Sequence, residues 1–232
     1  QVERILSQQL ANLGFFEIYN NSLTKLQNNE NNKAVSIVNP LSLELSAMRT
    51  SLFGGLVDAI QYNLNRKNNN CRFFEIGSVY QKDNSDFIER KQLVIGLTGM
   101  QQANHWRGNG QSNDFFYLKG IIEAICKRAG IVYTENTLEK QKHFIEGISL
   151  QSGQNTFGSI GKLDTTIFES LSIENEIFAA EVDIETYKAL ATSTEKHIKT
   201  ISKFPSVNRD LALLVNNDVS FESLKKVSQE TE

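Results

Sequence analysis

NPLSLELSAMRTSLFGGL, residues 39–56, carries the strongest indication of fold in this chain of 232 residues. From Leu52 onward an apolar residue recurs every four positions, which predicts a helix with one buried face that begins near Thr50 or Ser51. Two adjacent glycines, Gly54 and Gly55, each cost roughly 1 kcal/mol inside a helix relative to alanine. We therefore expect another backbone to pack closely against the helix at the glycine pair.

Most of the remaining periodic segments are predicted to be strands. These are 15–24, 35–40, 72–81, 92–100, 144–151, 156–163 and 176–183. The polar stretch between the third and fourth of them, 82–91, is predicted to be a loop. Helices are expected over 2–13, from Asp114 to Gly130 and over 183–190. Because hairpins precede and separate the helices, the order predicts an α+β fold with a mainly antiparallel sheet flanked by helices.

Composition excludes several classes of protein. Hydrophobic residues make up 40% of the chain and charged residues 22%, which excludes wholesale disorder. No apolar run approaches the ~18–20 residues of a membrane span, and the N-terminus does not resemble a secretory signal. A net charge of −3 argues against a surface dominated by phosphate binding. The two cysteines are predicted to be buried thiols of a cytoplasmic protein.

Short motifs for catalysis or metal binding are absent from the sequence. GNGQSND (108–114) departs from a dinucleotide-binding loop at its last glycine, and GSIGKL (158–163) resembles a phosphate-binding loop only superficially. The three histidines and two cysteines lack the local spacing of metal ligands. We therefore expect no metal residues in this chain.

The C-terminal end has a different character. Residues 191–202 are rich in Ser, Thr, Lys and Glu and are predicted to be a linker. After Pro205, NRDLALLV (208–215) is predicted to be a strand and the SFESLKKVSQ segment (220–229) a helix. A single strand leaves most of its backbone groups unpaired. We therefore expect 208–216 to pair with another strand, preferentially from a second chain.

The motifs of the chain, taken in order, resemble those of one family. NPLS and MRTSL lie within 39–56, FFEIG follows at 73–77, and the other matching segments are LGFFEI (13–18), IGLTG (95–99), DFFYLKG (114–120), GSIGKL (158–163) and KFPSVNRDL (203–211). Together with Trp106, this order resembles the synthetase-like core of the bacterial phenylalanine–tRNA synthetase β subunit. The resemblance covers nearly the whole chain.

The resemblance implies a fold and a division into domains. Residues 1–200 would form a class II aminoacyl-tRNA synthetase-like core without catalytic activity. Residues 201–232 would be the truncated start of a ferredoxin-like anticodon-binding domain. The other modules of such a β subunit would lie upstream of Gln1, so the chain is expected to be a fragment of a longer subunit.

The resemblance also implies that this core has lost its active site. A class II core holds the α-phosphate of ATP with an arginine two positions before a glutamate, and planar guanidinium groups suit that task. Aligning Glu75 with this glutamate places Phe73 at the arginine position, while Arg72 points to the opposite face of its strand. We therefore expect no catalytic or cofactor-binding residues here. Glu75 is expected to be a structural carboxylate that pairs with Arg72 or a backbone amide.

In this family the β core pairs with the catalytic α subunit in an (αβ)₂ enzyme that attaches phenylalanine to tRNA(Phe) with ATP and Mg²⁺. The resemblance implies a cytoplasmic protein without membrane contact. It places the subunit interface around 39–64, with the candidate residues Asn39, Pro40, Arg49, Leu52, Leu56 and Ile60. Trp106 is expected to have a structural role at the edge of the core.

Two other functions stay open at this level. One is a ligase domain with a cryptic ATP site near Trp106 and Arg107. The other is a standalone tRNA- or RNA-binding module that uses Lys225, Lys226 and the lysines of 196–203. ATP binding by the chain alone would favour the first, and strongly salt-dependent tRNA binding would favour the second.

Overall fold

The computed structural model describes residues 1–26, 33–83, 86–102, 106, 108–138, 143–167, 175–193, 203–205 and 207–231. The chain divides into two units, Gln1–Lys196 and His197–Glu232. The predicted domain boundary at residues 200–201 and the ferredoxin-like assignment of the second unit stay predictions.

The described residues of the first unit form strands and helices in alternating groups. The strands are β1 (Phe16–Glu17), β2 (Leu23–Thr24), β3 (Ala47–Met48), β4 (Cys71–Asp83), β5 (Asp86–Thr98), β6 (Met100–Gln102), β7 (Gln111–Ser112), β8 (Thr134–Thr137), β9 (Phe144–Ser152), β10 (Asn155–Leu163) and β11 (Phe178–Asp183). The helices are α1 (Val2–Asn12), α2 (Phe53–Leu64), α3 (Phe115–Ala129) and α4 (Ile184–Ser193).

Seven of these strands build one sheet in the order β1-β4-β5-β11-β10-β9-β8. All neighbouring pairs are antiparallel except β1 and β4, which run parallel. The fold is therefore α+β with a mainly antiparallel sheet, as the sequence predicts. A long connection from Glu17 to Cys71, which contains α2, joins β1 to its parallel neighbour β4.

Helices cover both faces of the sheet because successive residues of a strand point to opposite sides. Phe74 of β4 packs in one apolar cluster with side chains of α1, α3 and α4. Its neighbour Phe73 packs in a second cluster with α2, whose buried residues are Phe53, Leu56, Val57 and Ile60. The face that α2 covers is called the α2 face below.

Local signals place α3 where the sequence predicts it. Asp114 is extended and accepts a hydrogen bond from the backbone N–H of Tyr117 at 2.7 Å, which caps the first turn. Gly130 ends the helix with φ at 76°, a left-handed conformation that favours glycine. The hairpin of β9 and β10 is also confirmed, with Gly153 at φ 60° in its turn.

Three predictions made from polarity and patterning are wrong. The polar stretch 82–91 is not a loop, because β4 and β5 stay paired out to Asp83 and Asp86. Backbone pairing decides there, and polar side chains fit a ribbon that water reaches. The predicted strand at 15–24 is split into β1 and β2, which join different sheets. The predicted strand at 35–40 is reduced to one bridge, between Ser36 and Ala47.

The second unit contains α5 (Phe221–Thr231), as the sequence predicts. The strand predicted at 208–215 is wrong for this chain, since residues 207–220 carry no strand. Leu211 and Leu214 are exposed. A strand needs a partner to accept and donate its ladder hydrogen bonds, and this segment has none within the part of the chain that the structure describes. Pairing with a second chain stays a prediction.

The two glycines of α2 have different surroundings. A Cβ at Gly54 would meet nothing within 4 Å, whereas a Cβ at Gly55 would lie 2.7 Å from Cγ of Asn20. The close neighbour is therefore the Asn20 side chain at Gly55, and not a second backbone as the sequence predicts. The Oγ atom of Ser51 accepts a hydrogen bond from the N–H of Phe53 at 3.2 Å, near the predicted start of the helix.

Alanine substitutions at the two glycines should therefore have opposite effects. Gly54→Ala should raise the free energy of unfolding by roughly 0.5–1 kcal/mol, because it removes the entropy cost of a helical glycine. Gly55→Ala should lower it by about 1–3 kcal/mol, because the new methyl group overlaps Asn20. Urea unfolding of both variants measures the difference, and equal effects would contradict the placement of Asn20.

Candidate functional site

A buried ion pair connects the segment after β3 to the centre of the sheet. Nη1 of Arg49 lies 2.6 Å from Oε1 of Glu75 on β4, on the α2 face. Arg49 is 8% exposed and Glu75 is 1% exposed. A charge at that depth is stable only when it is paired and hydrogen-bonded, so the contacts around the two groups must be complete.

Further hydrogen bonds satisfy both charged groups. Nδ2 of Asn20 donates to Oε2 of Glu75 at 2.6 Å, so each carboxylate oxygen has a donor. Nε of Arg49 donates to the carbonyl of Ser78 at 2.9 Å, and Nη1 also reaches the carbonyl of Asn20 at 3.4 Å. One guanidinium group thereby bridges two segments that are distant in sequence.

Two glycines make room for this arrangement. A Cβ at Gly77 would overlap Nη2 of Arg49, and a Cβ at Gly55 would overlap Asn20. We call the set Asn20, Arg49, Gly55, Glu75 and Gly77 the Arg49 junction. Three of its members, Asn20, Gly55 and Gly77, are absent from the sequence-based list of site residues. The sequence shows Gly77 in the FEIG motif and Gly55 in the SLFGG segment, but it does not show which side chains these glycines accommodate.

The partner of Glu75 is Arg49, and not Arg72 as the sequence predicts. Nη1 of Arg72 donates instead to the hydroxyl of Tyr117 on α3, at 3.3 Å. Tyr117 packs against the cluster on the opposite side of the sheet from α2. The predicted opposite orientation of Arg72 is therefore confirmed, and its predicted pairing with Glu75 is wrong because the strand directs the two side chains apart.

The remaining interface candidates fall into two groups. Leu52, Leu56 and Ile60 are fully buried in the cluster of α2 and the sheet, and Leu56 packs where Gly96 has no side chain. The three side chains therefore belong to the core of this chain, and their predicted role at a subunit interface stays a prediction. Arg49 is buried in the same way by the junction. Asn39 and Pro40 are exposed.

Asn39 and Pro40 belong to a projecting segment, residues 38–45, called the 38–45 loop below. Val38 is 98% exposed and Leu41 95% exposed, and Leu43 is also exposed. Exposed apolar side chains scattered singly are ordinary, but a contiguous group of them indicates an interaction surface. The loop ends in a 3₁₀ turn, Leu43–Leu45, where Oγ of Ser46 donates to the carbonyl of Leu43 at 2.8 Å.

Backbone hydrogen bonds close the base of the loop and attach it to the sheet. The N–H of Ile37 donates to the carbonyl of Ser46 at 2.9 Å, and that of Met48 donates to the carbonyl of Val35 at 2.8 Å. The next residue, Arg49, accepts a backbone hydrogen bond from Tyr80 of β4 at 2.9 Å. The loop is therefore joined to β4 through Arg49.

The expectation that this core lacks a phosphate site rests on Phe73 and Glu75, and it stays a prediction. Phe73, at the position that the family gives to an arginine, packs among the apolar side chains of the α2 cluster. Glu75 is already engaged by Arg49. The described residues hold no group of three or more His, Cys, Asp or Glu side chains that could bind a metal ion.

The residues behind the two alternative functions are dispersed. Trp106 is 89% exposed, and the structural role predicted for it stays a prediction. Arg107, its partner in the cryptic-site hypothesis, lies outside the described residues. Lys225 and Lys226 are exposed on α5, and most of 196–203 lies outside the described residues as well.

A second carboxylate lies on the α2 face. Glu181 of β11 stands in register with Val94, which in turn stands opposite Glu75. Burial, with a smaller contribution from Asp183, raises the pKa of Glu181 to about 7. On this face Glu75 is paired with the charge of Arg49, whereas burial favours the protonated form of Glu181.

The raised pKa of Glu181 predicts a pH dependence of stability. Between pH 4.5 and about 7 the folded chain retains a proton that the unfolded chain has lost. The free energy of unfolding should fall as pH rises through this window, by up to roughly 3 kcal/mol. Glu181→Gln should remove this fall and be more stable than the parent at pH 8, with Glu89→Gln as the exposed control. A difference between parent and variant that is constant from pH 4 to 8 would refute it.

Comparison with known proteins identifies the family. Residues 1–184 match the family model of the phenylalanyl tRNA synthetase beta chain CLM domain. The chain is 33% identical over 251 aligned residues to the phenylalanine–tRNA ligase beta subunit of Bacteroides thetaiotaomicron, covering 100% of this chain and 30% of that protein. It is 34% identical to the corresponding subunit of Haemophilus influenzae, covering 81% of this chain and 24% of that protein.

A solved structure shares the fold. A pyrrolysyl tRNA synthetase from Desulfitobacterium hafniense superposes with a TM-score of 0.64 at 15% identity, covering 83% of this chain and 66% of that one. Among the helices that the structure describes, none has the length and apolar character needed to cross a bilayer. The chain spans about 30% of the length of the relative that it matches over its whole length, and it belongs to the family of the phenylalanyl tRNA synthetase beta chain CLM domain.

Proposed function

We propose that this chain is a non-catalytic part of a phenylalanine–tRNA ligase and supports assembly of that enzyme. The observation that carries the proposal is the engagement of Glu75 by Arg49, with Phe73 at the position of the nucleotide-binding arginine. A class II sheet arranged in this way has an apolar wall and a neutralised carboxylate where phosphate would bind. It retains the scaffold without the electrostatic groups that stabilise phosphoryl charge.

The whole enzyme would attach phenylalanine to tRNA(Phe) in the cytoplasm, with ATP and Mg²⁺ bound by its catalytic α subunit. The names of the relatives support this activity. In this scheme the chain's partner is the α subunit, in an (αβ)₂ assembly, and tRNA is bound by the complete enzyme.

The 38–45 loop is the surface that suits the α subunit best. It presents Val38, Leu41 and Leu43 to solvent beside Asn39 and Pro40. Proline fixes its own φ and restricts the residue before it, so the loop loses less conformational entropy on docking. The resemblance places the subunit interface in the region of 39–64. The loop is the longest exposed stretch of that region, whereas on α2 exposure is confined to Asp58 and Tyr62.

Disruption of the loop should weaken assembly. In the full-length β subunit co-expressed with its α subunit, Leu41→Asp should raise the dissociation constant for α by roughly tenfold or more, because a buried apolar contact becomes a desolvated charge. Val132→Asp, at a residue exposed to a similar degree between α3 and β8, is the matched control and should leave assembly unchanged. Sedimentation velocity measures both, and equal behaviour of the two variants would remove the loop from the interface.

The isolated chain should not activate phenylalanine. Pyrophosphate exchange into ATP requires a group that stabilises charge on the α-phosphate, and the α2 face offers Phe73 in that place. We expect exchange at background level for residues 1–232 and normal exchange for the complete enzyme. Exchange by the isolated chain that is lost in Arg72→Ala would contradict the proposal.

A further inference from the structure

We propose that the Arg49 junction is a positioning element, in which the buried Arg49–Glu75 pair fixes where the 38–45 loop stands on the sheet and so sets the affinity for the partner subunit. This inference rests on the proposed docking function of the loop. It assigns to Arg49 and Glu75 a role in assembly although neither side chain reaches the surface that docks.

The loop depends on its base for its position. Its apolar side chains are exposed and therefore contribute little packing against their own unit. At the base, β3 is two residues long and pairs with β2, which is equally short. Such short two-stranded pairings are marginal in water on their own. Two backbone hydrogen bonds attach the base to β4, from Tyr80 to the Arg49 carbonyl at 2.9 Å and from Lys82 to the Lys33 carbonyl at 2.8 Å. A side-chain interaction that also fixes direction would complete this attachment.

The guanidinium group of Arg49 supplies that interaction. It contacts Glu75 and Ser78 on β4 and the Asn20 carbonyl before β2. The side-chain amide of Asn20 donates a hydrogen bond to the same Glu75 carboxylate. The planar fork of donors fixes direction as well as distance, so one group joins the segment before β2 and the segment after β3 to β4.

The two glycines indicate that the guanidinium group of Arg49 requires this particular position. Gly77 has an extended, unremarkable backbone, yet any side chain there would displace Nη2 of Arg49. In the same way, a side chain at Gly55 of α2 would displace Asn20. Buried ion pairs rarely increase stability over well-packed apolar residues, and in several proteins they specify one arrangement among several. The junction is therefore expected to determine geometry more than stability.

The test uses the full-length β subunit with its α subunit. The double variant Arg49→Met/Glu75→Leu removes both charges and keeps similar side-chain volume, so the urea midpoint of the β subunit should stay close to that of the parent. The dissociation constant for α should nevertheless rise by roughly tenfold. Gly77→Ala keeps both charges and displaces the guanidinium, and it should raise the dissociation constant as well.

Hydrogen exchange provides a readout that a merely stabilising role would not move. The amides of Ile37 and Met48 close the base of the loop. In the double variant they should exchange roughly tenfold faster at unchanged global stability. The matched control is Lys91→Met/Glu3→Leu, which removes two partly exposed ion pairs of Glu3 on α1, with Lys91 of β5 at 2.8 Å and with Lys188 of α4 at 3.1 Å. It should change neither the exchange at these amides nor the affinity for α.

The outcomes separate this inference from the proposed function. If Leu41→Asp weakens assembly and the folded double variant binds α like the parent, the junction has no positioning role and the inference is overturned. If Leu41→Asp also binds like the parent, the docking function itself fails. Should the double variant not fold, Arg49→Lys takes its place. It keeps the charge but loses the fork of donors, and parent-like affinity together with parent-like exchange at Ile37 would then overturn the inference.

Discussion

A carboxylate in the middle of an apolar sheet face is the constraint around which this unit is organised. A carboxylate at that depth needs a cation and hydrogen-bond donors, and β4 cannot supply them because the side chains next to Glu75 point to the other face. The donors come from two distant segments, through Arg49 and Asn20. Satisfying one buried charge thus ties the connection between β1 and β4 to the sheet, and α2 follows directly after it.

The sequence predicts the parts of this fold that depend on local pattern. The helical stripe of α2, the cap at Asp114 and the hairpin of β9 and β10 are all recognisable because periodicity and turn residues decide them. The pairing of β4 and β5 through 82–91 was missed because backbone pairing overrides composition. The family was also recognisable from motifs. The partner of Glu75 was not, because it depends on how distant segments meet in space.

Two carboxylates on the α2 face stand in different surroundings. Glu75 is held by Arg49 and Asn20, which come from two distant segments. Glu181 has no such cation beside it among the described contacts, and burial raises its pKa to about 7. One face of the sheet thus accommodates a carboxylate in two ways.

The ribbon formed by the outer halves of β4 and β5 has a consequence for how such subunits vary in length. Over residues 86–91, β5 pairs with β4 but with no other strand among the described residues. Its side chains alternate between two faces, so one extra residue in each strand would turn every side chain beyond it to the opposite side. Two extra residues in each strand would restore the original facing. Insertions in this ribbon should therefore accumulate in even steps per strand, without disturbing the core.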